Sequence, residues 1–250
     1  DFTKPEHVKG WLLRKAGTSV AIPERCMIAD KDLVIDMECY LEDTVLIKSI
    51  FEDVWEGYSK ILFIPGTSIK GVLRHQCCNI LYSIDLSNTV AKNLFGYNQN
   101  SRKGRLTVDE VYLDTTYKQE EQIRTRIDRF TGGVMTGALF QDHPIRNTKG
   151  KQLTFPLRIT VKDCSDSEAG LVLLLVKDLM TGQITLGANR TIGYGRIKGN
   201  NVAVQYHGES YGIDNAGKVT EGEATKLEAL VQALHQATED TMLAKEGAHE

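Results

Sequence analysis

Ile64-Pro65-Gly66-Thr67-Ser68-Ile69-Lys70-Gly71-Val72-Leu73-Arg74 joins a strand-like stretch, Lys60 to Phe63, to an apolar-periodic helix beginning near Ile69. Pro65 and Gly66 make the turn between them, and the junction gathers Thr67, Ser68, Lys70 and, one turn on, Arg74. The start of a helix carries unpaired N–H groups and the positive end of the helix dipole, a natural place for a phosphate. Read alone, the same residues describe an ordinary helix start, with Thr67 or Ser68 as the N-cap and the glycines shaping the turn. The rest of the chain has to decide between these readings.

On the N-terminal side, Leu33, Ile35, Met37, Cys39 and Leu41 alternate with Val34, Asp36, Glu38 and Tyr40, the period of a half-buried strand. Val45 to Ile47 either extends it or starts a second short strand. Residues 1–32 are weakly patterned and read as a lead-in or linker. Lys48 to Lys60, rich in acids and aromatics, reads as a loop before the opening motif. On the C-terminal side, Val72, Leu73, Gln76, Cys77, Ile80 and Leu81 keep helical spacing, and Cys77 and Cys78 fill core. A second short helix runs from Thr89 to about Phe95-Gly96. The basic turn Ser101–Arg105 then leads into a strand expected over Leu106 to Leu113.

A second glycine-basic segment follows. Arg124, Arg126 and Arg129 precede Phe130-Thr131-Gly132-Gly133 and Gly137-Ala138-Leu139-Phe140. Arginine forks match phosphates, and glycine lets backbone approach a ligand; the plainer reading is a hairpin with a glycine turn and solvated arginines. Leu153 to Val161 alternates as a strand. Glu168 to Met180 is too apolar for periodicity to separate helix from strand, although its length favours helix. The third glycine-basic segment, Ile184 to Arg196, carries Arg190, Tyr194 and Arg196 among Gly187, Gly193 and Gly195, and a strand over about Ile197 to Tyr206 follows. Residues 207–250 read as a linker and an amphipathic helix, with Leu227, Leu230, Val231, Leu234 and Ala237 on one stripe.

The chain has 250 residues, enough for one large domain or two small ones, and its 41% apolar and 25% charged content is that of a globular protein. A formal charge of -3 excludes a uniformly basic nucleic-acid coat but not a local basic stripe. Five cysteines, odd in number and without a C-x-x-C pair, point to reduced thiols in a cytosolic protein rather than to disulfides or zinc. No membrane span or signal peptide is visible. The start at Asp1 and the linker-like first residues suggest one domain of a longer, fused polypeptide.

Catalytic motifs are excluded by spacing. Gly66 and Gly71 lack the Lys-Ser/Thr of a P-loop, and Gly187, Gly193 and Gly195 are mis-spaced for a dinucleotide fold. The six histidines show neither metal nor triad spacing. Three glycine-basic loops and one acidic loop suit an elongated anion held at several points along its backbone. Single-stranded RNA is the natural candidate.

Four of these segments resemble one family. Ile64 to Arg74 is close to the IPGSSLKGVLR signature of the RAMP superfamily, the repeat-associated proteins of type III CRISPR effector complexes. Gly104-Arg105-Leu106-Thr107-Val108 resembles its following strand. Ile127 to Gly133 with Gly137 to Phe140 resembles its IDRFTGG…GALF segment, and Leu186 to Arg196 its LG…GYGR loop. All four stand in family order over about residues 33–205.

The resemblance implies an α+β fold: a modified ferredoxin-like (RRM-like) domain, here over 33–206, with an inserted thumb hairpin and helical lobe. It implies a cytoplasmic prokaryotic backbone subunit or domain of the Csm/Cmr type. Its partners would be CRISPR guide RNA, complementary target RNA and other RAMP subunits or domains, with no membrane. By position, Gly66, Thr67, Ser68, Lys70 and Arg74 would hold guide backbone, Arg129, Phe130 and Thr131 would lie at the thumb, and Arg190, Tyr194 and Arg196 at the RNA-facing loop. The cutting residue would be Asp53, also the ligand of a divalent metal (magnesium or manganese), with Glu52, Glu56 and Asp43 as alternatives and no organic cofactor. There the metal would offset charge on the scissile phosphate as the adjacent 2′-hydroxyl attacks. The same scaffold without catalysis, a structural RNA-binding and assembly subunit, is the second reading. A guide-processing ribonuclease, the third, has no well-placed histidine to support it.

Overall fold

The alternation at Leu33–Leu41 folds as β1, the centre of the main sheet. The computed structural model describes residues 30–42, 44–47, 50–51, 61–97, 102–113, 117–147 and 154–246. After β1 come β2 (Ile50–Phe51), β3 (Ile61–Ile64), α1 (Gly66–Ser83) and α2 (Thr89–Phe95). Five short strands follow: β4 (Gly96–Tyr97), β5 (Arg102–Lys103), β6 (Leu106–Val108), β7 (Val111–Tyr112) and β8 (Tyr117–Gln119). The longer β9 (Gln122–Ile127) and β10 (Val134–Asp142) form a hairpin, then come β11 (Ile145–Asn147), β12 (Thr154–Val161) and α3 (Asp166–Met180). The chain continues through β13 (Ile197–Tyr206), β14 (Glu209–Ile213), β15 (Val219–Glu221) and α4 (Ala224–Glu246).

The main sheet has the order β15-β14-β13-β1-β12-β6 and every pairing is antiparallel. Since β1 and β6 are both antiparallel to β12, they run parallel to each other. A parallel pair needs a long crossover, which α1 provides. The same argument applies to β12 and β13 on either side of β1, joined through α3. Taken in chain order, β1, β6, β12 and β13 are a β-α-β-β-α-β unit with the spatial order fourth, first, third, second. That is the ferredoxin-like arrangement the sequence led us to expect, with β14 and β15 added at one edge and β7 to β11 inserted before β12.

Register places the core on one face. Leu33, Ile35, Met37 and Cys39 oppose Val161, Ile159, Leu157 and Phe155 across one ladder, while Ile35 and Met37 oppose Val204 and Val202 across the other. All are buried, and α1 adds Ile69, Leu73, Cys77 and Leu81 at helical spacing. Burial pushes the thiols of Cys39, Cys77 and Cys164 up to about 12, so these cysteines are inert packing groups.

Several expectations change. The first helix begins at Gly66, with Pro65 at the N-cap position and no side-chain cap, so neither Thr67 nor Ser68 caps it. The strand expected over Leu106 to Leu113 is two strands. β6 pairs with β12 in the main sheet, whereas β7 crosses after Asp109 and Glu110 to pair with β3. Val45 and Leu46 make only isolated bridges, to Ile145 and Ala188. The apolar run at Glu168–Met180, by contrast, is the helix that its length favours, opened by a capping box between Ser165 and Glu168. Residues 209–221, read as linker, continue the main sheet as β14 and β15.

Candidate nucleic-acid interface

The strand directions bring the glycine-basic segments to one end of the main sheet. β1 and β6 finish there, β12 and β13 begin there, α1 starts there and α3 ends there. The base of the β9–β10 hairpin and the loop before β13 share that end, and the Pro-Gly turn faces the same way from the end of β6, where Val108 stands level with Ile159 and Ile35. The helix-free face of the sheet is less suited to RNA. Arg158 is taken up by Asp36 through bonds of 2.5 and 2.8 Å, Glu38 stands beside them, and Tyr40 is the lone aromatic of β1. An RRM-type face stacks several bases on aromatics, which this face lacks.

At the opening motif, Gly66 lies against the end of β6. A Cβ there would come within 2.2 Å of the Val108 carbonyl oxygen, so only glycine lets α1 start so close to the strand. The first turn contains no acid, and the Thr67 and Ser68 hydroxyls make no hydrogen bond among the described residues. Lys70 is committed differently from expectation: its Nζ donates to the Leu106 carbonyl at 2.7 Å and ties α1 to β6. Partial burial, then the neighbouring Arg74, lowers its pKa. Arg74 is exposed on the same side of the helix, one turn along.

The glycine loop is held by backbone. Gly195 N donates to Thr44 O at 2.7 Å, Ala188 N to Leu46 O at 2.9 Å, and Leu186 N to Gly195 O at 2.7 Å. Gly187 and Gly195 have φ of +84° and +78°, and a Cβ on either would collide with a backbone carbonyl oxygen. What the loop presents outward is the 3-10 turn Arg190–Ile192 and Gly193, all exposed. Arg196 is paired, its NH1 lying 3.5 Å from Glu42 Oε2 while Lys198 Nζ lies 2.5 Å from Glu42 Oε1. Those contacts, led by the Lys198 hydrogen bond, lower the Glu42 pKa. Tyr194 turns to the hairpin: its hydroxyl donates to Gln122 Oε1 at 2.6 Å and accepts from Arg124, whose guanidinium lies 4.9 Å from the ring centre.

The hairpin tip is an Asp128 turn. Its Oδ1 accepts from the N–H groups of Phe130 at 2.7 Å and Thr131 at 3.2 Å, and Gly132 N donates to Asp128 O at 3.0 Å. That geometry holds Phe130 out at 96% exposure, beside exposed Arg129 and Thr131. No hydrogen bond or ion pair joins the tip residues to the glycine loop or α1 among the described residues. So the structure brings Tyr194 to the hairpin base, gives Lys70 to β6, and leaves Thr67, Ser68, Arg74, Arg129 and Arg190 open to solvent or nearly so.

A family model described as the RAMP superfamily matches residues 52–198, well over half of the chain. The chain belongs to the RAMP superfamily. No curated protein matches it. Membership points to CRISPR-associated RNA binding. Two motif residues of this RAMP domain are occupied internally. Gly104 lies where a Cβ would meet the Phe95 carbonyl, and Arg105 pairs with the buried carboxylate of Glu168 while donating to the Asp163 carbonyl. Asp53, Glu52, Glu56 and Asp43 lie outside the described residues. Among the described residues no cluster of His, Cys, Asp or Glu could hold a metal ion, and no helix is long and apolar enough to cross a membrane.

Gln122, Asp142, Asn189 and Glu42 belong to this end of the RAMP domain, and sequence reasoning passed over them. Only Gln122 leaves a local trace, as the first polar residue in the alternation Gln122 to Ile127. The others matter through partners far away in the chain.

Proposed function

We propose that this RAMP domain is a backbone-type unit of a type III effector, of the Csm/Cmr kind, that holds the guide RNA by its phosphates and cuts complementary RNA. One observation carries the reading: the outward turn of the glycine loop and the hairpin base meet at one end of the sheet, and the uncapped start of α1 faces the same way. Thr67, Ser68, Arg74 and Arg190 offer donors there, and the exposed Arg129-Phe130-Thr131 tip extends from the same end. Spaced cations and N–H groups, with no aromatic platform on the sheet, suit binding of the RNA backbone rather than reading of its bases. The assigned partners are guide RNA, complementary RNA and neighbouring RAMP subunits or domains.

Cutting is assigned to Asp53, in the acidic loop before the opening motif. A divalent cation held at that carboxylate would stabilise charge on the scissile phosphate. The test compares the guide-loaded assembled complex with Asp53 and with Asp53→Ala on complementary RNA. Loss of cutting by at least about 100-fold, with guide affinity retained, is the expected result. Unchanged cutting removes Asp53 from the role. A parent complex that binds guide and target without cutting supports the structural, non-catalytic reading.

A further inference from the structure

We propose that Tyr194 is a positioning residue, which with Gln122 and Arg124 forms a latch that sets the angle of the hairpin arm; this rests on the RNA-binding reading above only in its functional consequence. The hairpin is built in two parts. Its stem pairs β8 with β11 and is fixed to the domain by Val45 and Ile145, which exchange backbone bonds of 3.0 and 2.8 Å. The register runs on unbroken from stem to arm, but at the junction Glu120 N donates to the Pro144 carbonyl at 3.0 Å and Pro144 has no N–H to return the bond, so the ladder is weakened there, and beyond it β9 and β10 pair only with each other. A two-stranded ribbon is marginal by itself, so past this weakened junction its direction depends on the stem together with whatever else grips the arm.

The register makes the arm two-faced. Asp142 opposes Gln122 and Phe140 opposes Arg124, on the side turned to the glycine loop. Ile123, Ile127, Val134 and Leu139 occupy the other side at 64–69% exposure. Among the described residues, the polar ties between arm and loop are on the first face. Tyr194 donates to Gln122 at 2.6 Å, Arg124 donates to Tyr194 and to Gln122 Oε1 at 2.8 Å, and Asn189 Nδ2 donates to Asp142 Oδ2 at 3.0 Å. The Tyr194 hydroxyl has both its donor and an acceptor site filled from inside the domain. It sits on a loop that backbone bonds to Thr44 and Leu46 hold still. The latch thus transmits the position of the loop to the arm and, through the arm, to Phe130.

The test uses the full chain with Tyr194→Phe, which keeps the ring and its stacking on Arg124 but removes both hydroxyl bonds, alongside Gln122→Ala and the double variant. Without RNA, amide hydrogen exchange in residues 122–142 should accelerate about five- to tenfold, the effect of losing one hydrogen bond's worth of stability. Exchange at 186–188 and 195 should not change, and the double variant should exchange no faster than Tyr194→Phe, which by itself removes both hydroxyl bonds between arm and loop. Affinity for a single-stranded RNA probe should stay within about twofold of the parent. In the guide-loaded protein, affinity for the complementary strand should fall severalfold. Unchanged exchange in 122–142 overturns the latch. A drop in single-strand affinity as large as that of Arg190→Ala overturns the positioning role and makes Tyr194 an RNA contact. A parent chain that binds no RNA counts against the proposed function, while the exchange result still decides the latch.

Discussion

Glu42 restrains the charge of the glycine loop. It holds Arg196 at 3.5 Å and Lys198 at 2.5 Å, so two cations next to the outward turn are offset by one carboxylate. Its pKa is lowered, first by the Lys198 hydrogen bond, so the carboxylate holds its charge to lower pH than a free glutamate. By linkage, the tether is fully present above the ordinary carboxylate pKa and is lost as the pH falls through the lowered value. Glu42→Gln should therefore tighten binding of single-stranded RNA. If both freed cations reach phosphates, the log–log salt slope should steepen by up to about 1.4. Titrations at several salt concentrations measure this; an unaltered slope would mean that RNA does not pass this side of the loop. Lysine 70 teaches the complementary lesson. Its type and place in the motif suggested phosphate, yet the ammonium satisfies a strand carbonyl, because a partly buried cation finds the nearest unpaired acceptor.

At the scale of elements, α1 separates two uses of glycine that look alike in the sequence. Gly66 stands where a Cβ would strike the Val108 carbonyl oxygen, whereas a Cβ on Gly71 would meet nothing within 4 Å. Gly66→Ala should thus destabilise the domain. Gly71→Ala should stabilise it by about 0.5–1 kcal/mol, since glycine in a helix interior costs that much relative to alanine. If guide backbone lies along this exposed stretch, the same Gly71→Ala change should weaken RNA binding even as the melting temperature rises. A stabilised variant with parental affinity would place the RNA elsewhere on α1. Which elements exist was legible beforehand, because alternation at Leu33–Leu41 and helical spacing at Ile69–Leu81 are local signals. The split between β6 and β7 was not, since the chain changes sheets there for reasons of tertiary fit around Gly66. Nor was the Tyr194–Gln122–Arg124 cluster, whose members lie some 70 residues apart and meet only once the sheet is ordered. The arm's two faces were written in Gln122 to Ile127, but arginines and glycines drew the reading toward the turn instead.

For the molecule as a whole, α3 explains why its own sequence gave no clear period. Ala169, Gly170, Leu171, Val172, Leu173, Leu175, Val176 and Leu179 are buried around nearly the whole circumference. One side meets the sheet and the other is covered by α4, so no polar face is needed. The fit to α4 is close: a Cβ on Gly170 would come within 2.2 Å of the Leu230 carbonyl oxygen, and Leu227 and Leu234 are buried alongside. Gly170 stands in the first third of α3, toward the end of the sheet opposite the glycine loops. Under the proposed function, stability and RNA binding are therefore carried by different parts of one domain. Gly170→Leu should displace α4 and forfeit much of the burial of Leu227 and Leu234, together worth about 4 kcal/mol at most. Urea unfolding should show a lower midpoint and, if α4 detaches before the rest, a smaller slope as well. Under conditions where the variant remains folded, its RNA affinity should match the parent's, because the basic end is built from the sheet, α1 and the loop before β13. A variant that unfolds like the parent would show that α4 does not pack on Gly170. A variant that stays folded yet loses RNA would carry the binding surface around to the helical layer.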